Sequence, residues 1–89
     1  HGALKYLQQS GFRLFAASEK AVKLYSEADF NVPAGIILGS EEDGISVPIL
    51  KIADEWIRIP MAGQVASLNV SVSAGIIIFE AVRQRGIEG

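Results

Sequence analysis

The sequence predicts one α/β domain in which a parallel sheet is flanked by helices. The first observation is that strand-like and helix-like patterns alternate along the 89 residues, starting and ending with a helix. The second is a continuous apolar run over residues 34–38, between Pro33 and Gly39, which is typical of a strand buried on both faces of a parallel sheet. The third is a long helical pattern over residues 67–85, which can cover such a sheet.

The first half of the chain is expected to contain a helix, a strand and a second helix. Residues 3–9 have apolar side chains at helical spacing, and Gly11 is a suitable stop. Residues 12–16, in which only Arg13 is polar, predict a short strand. Ser18 is a favourable N-cap residue, which predicts a helix over residues 19–25.

The second half is expected to alternate in the same way. After the second strand, Pro48 suits the first turn of a short helix, because its missing N–H costs nothing there. Residues 55–59 predict a third strand, ended by Pro60. Gly86 is a suitable cap for the final helix. The apolar side chains that fall near one face of that helix are Leu68, Val72, Ile76, Phe79 and Val82.

The composition argues against several classes of function. Cysteine is absent, so the chain has neither a disulfide nor a thiolate metal site, which is compatible with the cytoplasmic location that we expect. The net charge of −2 argues against a broad basic surface, and no DNA partner is expected. The longest apolar stretch, residues 74–79, is far shorter than the roughly 20 residues that cross a bilayer, so no membrane partner is expected. The hydrophobic content of 49% indicates apolar surface shared with a partner or with further sequence.

Residues 39–46 form an acidic loop after the apolar strand, where open α/β sheets bind ligands. Gly39 and Gly44 permit tight turns and a close approach to a ligand. Ile45 replaces the lysine of a P-loop, and the loop's three carboxylates would repel phosphate, which argues against a nucleoside triphosphatase. Three adjacent carboxylates cannot all face one ion, so no metal site is expected, and a cationic or hydroxyl-bearing ligand fits better. An ordinary solvated turn is the alternative.

Residues 59–63 form a second loop, which leaves the third strand through proline and small residues. Its backbone amides are free to read the edge of a planar base. The apolar side chains suited to clamp an adenine ring are Ile59, Met61 and Leu68. Ser67 and Asn69 follow in the first turn of the final helix, where spare donors and a positive dipole end lie. The alternative is that Ser67 acts only as the N-cap.

Both loops resemble signature motifs of one known family. Residues 35–46, Gly-Ile-Ile-Leu-Gly-Ser-Glu-Glu-Asp-Gly-Ile-Ser, resemble the second motif of the SpoU/TrmH RNA ribose 2′-O-methyltransferases. Residues 59–71, Ile-Pro-Met-Ala-Gly-Gln-Val-Ala-Ser-Leu-Asn-Val-Ser, resemble the third motif. Residues 79–85, Phe-Glu-Ala-Val-Arg-Gln-Arg, follow it as they do in the family. The resemblance covers most of the chain and is strongest over residues 34–85.

This resemblance implies the trefoil-knotted α/β SPOUT fold, with the N-terminal half of the domain missing. Residues 1–89 would then be the C-terminal cofactor-binding portion of a longer enzyme. It also implies S-adenosylmethionine as cofactor, tRNA or rRNA as substrate, and a homodimer. Carried over by position, the residues expected to contact the cofactor are Gly39, Ile59, Met61 and Leu68. Those that match the polar, catalytic positions of the active site are Glu41, Ser67 and Asn69.

The family's upstream Asn/Arg motif is absent from this chain, and Arg13 lacks the pattern that surrounds it, so no general base is assigned. A non-catalytic knotted module that dimerises or binds RNA is therefore an alternative. A dinucleotide-binding enzyme is a weaker one, because no Gly-x-Gly-x-x-Gly follows a strand. Small residues over 71–75 predict close helix–helix contact across a dimer, and Trp56 is predicted to pack against a helix or a partner subunit.

Overall fold

In the computed structural model, residues 2–39, 44–60 and 70–86 of the chain are described. Their helices and strands are, in chain order, α1 (Gly2–Gln9), β1 (Arg13–Ala17), a 3-10 helix (Tyr25–Glu27), β2 (Ala34–Ile37), α2 (Val47–Ile52), β3 (Glu55–Ile57) and α3 (Val70–Arg85). The predicted alternation is confirmed except at residues 19–25. Within these ranges, no helix is both long and apolar enough to span a membrane.

The three strands form a parallel sheet in the order β2-β1-β3. In the register of the sheet, Phe15 of β1 lies opposite Ile36 of β2 and Glu55 of β3. The middle strand is the buried one, and its residues Leu14 to Ala16 are almost inaccessible to solvent. The prediction that residues 34–38 are buried on both faces is therefore wrong for β2. This strand is only partly buried, because it lies at one edge of the sheet formed by the described residues.

The predicted helix over residues 19–25 is also wrong. Ser18 starts a tight turn instead, in which its Oγ accepts a hydrogen bond from the Lys20 N–H at 3.2 Å. The Ser18 carbonyl accepts a second one from the Ala21 N–H at 3.1 Å. A serine side chain that bonds a nearby backbone N–H stabilises turns as well as helix starts, so the same residue suits both.

The backbone after that turn pairs with the end of β3. Leu24 forms a parallel bridge with Arg58, in which the Arg58 N–H donates to the Lys23 carbonyl at 2.8 Å. The Tyr25 N–H donates to the Arg58 carbonyl at 2.9 Å. A helix over residues 19–25 would require the same backbone groups, so pairing with β3 replaces it.

One hydrophobic core joins the sheet to α3. The rings of Phe15 and Phe30 meet edge to face with their centroids 4.8 Å apart. The other buried members of this cluster are Ala28, Ile57 and Ile77. Leu38 and Ile59, which lie just beyond β2 and β3, are partly buried and pack against it. The core therefore reaches the two points at which the predicted loops begin.

Helix α3 faces the core with a different side from the one its apolar pattern indicates. Ile77 and Glu80 are buried, whereas Val72 and Phe79 of the predicted apolar face are exposed. The predicted start of this helix, residues 67–69, lies outside the described residues. Gly86 has a φ of +70°, the left-handed conformation of a helix-ending glycine, which confirms the predicted cap.

Candidate functional site

The parallel sheet brings the starts of both predicted loops to one edge. Gly39 follows the carboxyl end of β2, and Ile59 follows that of β3. Because parallel strands all end on the same side, the two loops leave the sheet together. β1 lies between them, so the strand ends are about 10 Å apart, or two strand spacings. That width suits a ligand of nucleoside size.

Gly39 closes the neck of the acidic loop. A Cβ atom at this position would lie 2.2 Å from the carbonyl carbon of Gly44 and 2.5 Å from the backbone nitrogen of Ile45. These are backbone atoms, which cannot move aside as a flexible side chain can, so only glycine fits. Gly44 has a φ of +68°, which also favours glycine. The backbone at the start of the acidic loop therefore lies directly against the backbone of Gly44 and Ile45.

Ile59 supplies apolar surface at the other end of the edge. It is partly buried and packs against the core cluster, as does Leu38, the residue before Gly39. An apolar floor beside a tight backbone turn suits a planar, weakly polar ring such as a purine. The structure thus brings together the two described members of the predicted cofactor site.

The remaining predicted site residues lie outside the described residues. They are Glu41 in the first loop and Met61, Ser67, Leu68 and Asn69 in the second. Their roles stay predictions. In the chain, Glu41 is separated from Gly39 by one residue, and Met61 is separated from Ile59 by Pro60.

A third segment, which the sequence did not indicate, reaches the same edge. Residues 18–25, here called the β1 exit segment, leave the middle strand between the other two strand ends. The Ser18 N–H donates to the Ile57 carbonyl at 2.9 Å, so this segment starts in register with β3. The rule that ligands bind beyond the carboxyl ends of strands applies to every strand, and that signal could have identified this segment too.

A cluster of three charged side chains lies at the start of β3. Glu55 accepts hydrogen bonds from Lys23 Nζ at 2.8 Å and from Arg13 Nε at 2.6 Å. The bond from Lys23 is the main reason that the pKa of Glu55 lies below its ordinary value; burial opposes that shift, and Arg13 adds to it. Glu55 therefore stays ionised and links β3 to Arg13 of β1 and to Lys23 in the segment that follows β1. In the part of the chain that the structure describes, no group of three or more His, Cys, Asp or Glu could hold a metal ion.

Comparison with known proteins gives matches along nearly the whole chain. The sequence profile of the SpoU rRNA Methylase family matches residues 1–79. The tRNA (guanosine(18)-2′-O)-methyltransferase of Thermus thermophilus is 43% identical over 86 residues, which make up 96% of this chain and 44% of that protein. The chain therefore spans less than half the length of this curated relative.

Solved structures resemble the fold just as closely. The crystal structure of an RNA 2′-O ribose methyltransferase superposes with a TM-score of 0.89 at 41% identity, covering 97% of this chain and 33% of that one. An AdoMet-bound rRNA methyltransferase from Sinorhizobium meliloti gives a TM-score of 0.85 at 29% identity, covering 92% of this chain and 32% of that one. The predicted α/β fold class is confirmed, because both structures superpose over almost all of this chain.

Proposed function

We propose that this chain, which belongs to the SpoU rRNA Methylase family, is the C-terminal cofactor-binding portion of an RNA ribose 2′-O-methyltransferase domain. The main observation in support is that Gly39 and Ile59, which start the two motif loops, lie at the same edge of the sheet. The proposed substrate is a ribose 2′-hydroxyl in tRNA or rRNA. Both kinds of RNA occur in the names of similar proteins.

S-adenosylmethionine is the proposed cofactor, and when bound it supplies an electrophilic methyl group on a sulfonium centre. The residues present fit such a group. At Gly39 the backbone of Gly44 and Ile45 fills the space of a side chain, so glycine is needed to close the neck of the loop that we propose to hold the cofactor. Ile59 offers an apolar floor on the core cluster. Met61 and Leu68 complete the set of residues that we propose to hold the adenine ring.

Glu41, Ser67 and Asn69 are the proposed catalytic residues. The carboxylate of Glu41 is suited to hold a cation, and the side chains of Ser67 and Asn69 are suited to orient a ribose by hydrogen bonds. Holding the 2′-hydroxyl in line with the methyl group removes much of the entropic barrier to the transfer. The hydroxyl proton must also leave, and we assign none of these three residues as its base.

We further propose that the protein is a cytoplasmic homodimer with the trefoil-knotted form of this fold. Helix α3 supports the dimer, because Val72, Ile78 and Phe79 expose apolar surface and Phe79 is 78% exposed. A groove of about 600 Å³, mostly apolar, runs along the same helix beside Tyr25. At Gly75 an added Cβ atom would meet nothing within 4 Å, so a second helix can approach closely there. A second copy would remove this surface from water.

Calorimetric titration of S-adenosylmethionine into the intact protein tests the cofactor site. We expect one site per chain, and we expect Leu68→Asp to abolish the heat, because a charge would be placed against the adenine ring. Val47→Asp is the matched control, since it introduces the same charge at the exposed start of α2, where an acidic residue is favourable. Absence of binding by the wild-type protein would refute the proposed cofactor.

Transfer of a labelled methyl group to RNA tests the reaction. We expect label in tRNA or rRNA and, after nuclease digestion, in a nucleoside methylated at the ribose 2′-oxygen. Cofactor binding without any transfer would instead favour a non-catalytic knotted module. Label on a base rather than a ribose would refute the proposed reaction while leaving the cofactor site intact.

A further inference from the structure

We propose that Arg58 is a positioning residue that shapes the cofactor site by tying the β1 exit segment (residues 18–25) to the end of β3. The inference rests on the proposed function, because it takes the sheet edge between Gly39 and Ile59 as the place where the cofactor binds. Arg58 immediately precedes Ile59 in the chain. Whatever holds Arg58 therefore also sets the position of the apolar floor.

Arg58 contacts the exit segment at three points. Its backbone N–H donates to the Lys23 carbonyl at 2.8 Å, and its carbonyl accepts from the Tyr25 N–H at 2.9 Å. Its side-chain Nε donates to the Ala21 carbonyl at 3.2 Å. The two backbone bonds can form with any residue except proline at position 58. Within residues 2–39, 44–60 and 70–86, the distinctive contribution of the arginine side chain is therefore the bond to Ala21.

These contacts make the exit segment cross β3 close to its carboxyl end. The Ile57 carbonyl accepts a hydrogen bond from the Ser18 N–H, on the side of β3 that faces β1. Successive residues of a strand direct their backbone groups to opposite edges, so Arg58 pairs with Leu24 on the other edge. The segment thus starts on one side of β3 and returns on the other, next to Ile59.

The middle of the exit segment depends on the anchor at Ala21. Ala21 is buried, whereas its neighbour Val22 is 92% exposed. A hydrogen bond from a charged guanidinium is stronger than one between neutral groups, so the Arg58 side chain is a firm attachment for this carbonyl. Arg58 is not a member of the buried core cluster. Its loss should therefore change the shape of the sheet edge more than the stability of the fold.

The test compares Arg58→Met with Arg58→Lys in the intact protein. Methionine keeps an apolar stem without the donor, and lysine keeps a charged donor. R58M should raise the dissociation constant and the KM for S-adenosylmethionine about tenfold, as expected for the loss of one charged hydrogen bond. The kcat at saturating cofactor should stay within about twofold, because the reacting groups are unchanged. R58K should restore part of the affinity.

Arg85→Met is the matched control. Arg85 also donates to backbone carbonyls, from Nε to that of Phe30 and from Nη2 to that of Val32, both at 2.9 Å, but these bonds lie before the amino end of β2. R85M should leave the affinity for S-adenosylmethionine unchanged. Amide hydrogen exchange in the cofactor-free protein supplies a second readout. Exchange over residues 20–22 should be faster in R58M than in the wild type and unchanged in R85M.

The outcomes separate the two proposals. A cofactor affinity that is unchanged in R58M, or lowered equally in R85M, would overturn the positioning role alone. Should R58M not fold, Arg58→Leu replaces it, because leucine likewise has no donor for the Ala21 carbonyl, and an unaltered affinity and exchange rate would again count against the inference. A wild-type protein that binds no S-adenosylmethionine would overturn the proposed function and this inference together.

Discussion

The side-chain amide of Gln84 in α3 bonds the backbone of Phe30, a core residue that precedes β2. Gln84 Oε1 accepts the Phe30 N–H at 2.7 Å, and Nε2 donates to the Ala28 carbonyl at 2.7 Å and to Glu80 Oε2 at 2.8 Å. One amide thus satisfies two backbone groups of a neighbouring segment and one carboxylate of its own helix. It fixes α3 against the chain that leads into the sheet.

Substitutions at Gln84 should lower the free energy of unfolding by an amount that depends on which of its hydrogen bonds are lost. Gln84→Met keeps the length of the side chain but removes the partners of Phe30 and Ala28, so we expect a loss of about 2–3 kcal/mol in the free energy of unfolding. Gln84→Glu should cost more, because a carboxylate would then face the carboxylate of Glu80. Urea unfolding at neutral pH measures both. Equal stability of the two variants would contradict the role given to Nε2.

The buried carboxylate of Glu80 predicts an acid-sensitive contribution to stability. Hydrogen bonds from Arg83, and then from Gln84, lower the pKa of Glu80 from 4.5 to about 2. Because the folded pKa lies below the unfolded one, this contribution is present above about pH 4.5 and is lost as the pH falls toward 2. Glu80→Gln should be about 1–2 kcal/mol less stable at pH 7, a figure reduced for solvent screening around the exposed Arg83.

Unfolding curves of the wild type and Glu80→Gln at several pH values measure this effect. The difference in stability between them should shrink as the pH falls through the acid range. If the difference in unfolding free energy stays constant down to about pH 2, the charge of the Glu80 carboxylate contributes nothing to it.

The orientation of α3 predicts losses of stability of very different size at two neighbouring isoleucines. Ile77 is fully buried in the core cluster, whereas Ile78 is 57% exposed. Ile77→Ala should cost about 2–5 kcal/mol in unfolding free energy, and Ile78→Ala less than about 0.5 kcal/mol. Chemical denaturation of the two variants under conditions that keep the protein monomeric makes the comparison. A larger loss at Ile78 would mean that the helix is rotated from the orientation described above.

Much of the fold could be predicted because its signals are local. Pro48 at the start of α2 and Gly86 after α3 act on the backbone beside them, and both elements occur where expected. The exit segment could not be predicted in this way, since Ser18 suits a turn as well as a helix. The choice between them is made by Arg58, which bonds this segment from far along the chain.

The candidate site was predictable to the extent that parallel strands end at the same edge. That rule placed Gly39 and Ile59 together. It did not give the order of the strands, because an apolar run such as that of β2 has the same appearance in a central and in an edge strand. The same limit applies to α3. Its outward apolar side chains recur with a helical period, and this period is the same whether the core or a second subunit covers them.

Phe79 predicts a change of assembly without a change of fold. Its side chain is largely exposed on the apolar face of α3. Phe79→Glu should convert the proposed homodimer to a monomer and should change the monomer's unfolding free energy by no more than about 0.5 kcal/mol. Light scattering coupled to gel filtration measures the mass. Val22→Glu adds the same charge at another exposed position, on the β1 exit segment, and it should leave the dimer intact. A dimer that persists in F79E would exclude this face as the interface.

The crowded backbone around Gly39 allows a steric test of the acidic loop. In Gly39→Ala the new methyl group would meet the Gly44 carbonyl carbon at 2.2 Å, so the neck of the loop must open. We expect a loss of about 1–3 kcal/mol in stability and at least about tenfold weaker binding of S-adenosylmethionine, because the close contact of Gly39 with Gly44 would be lost. Gly2→Ala is the control: its methyl group meets nothing within 4 Å. Calorimetry measures cofactor binding by both variants, and urea unfolding measures their stability. If G39A binds the cofactor normally, Gly39 is not part of the site.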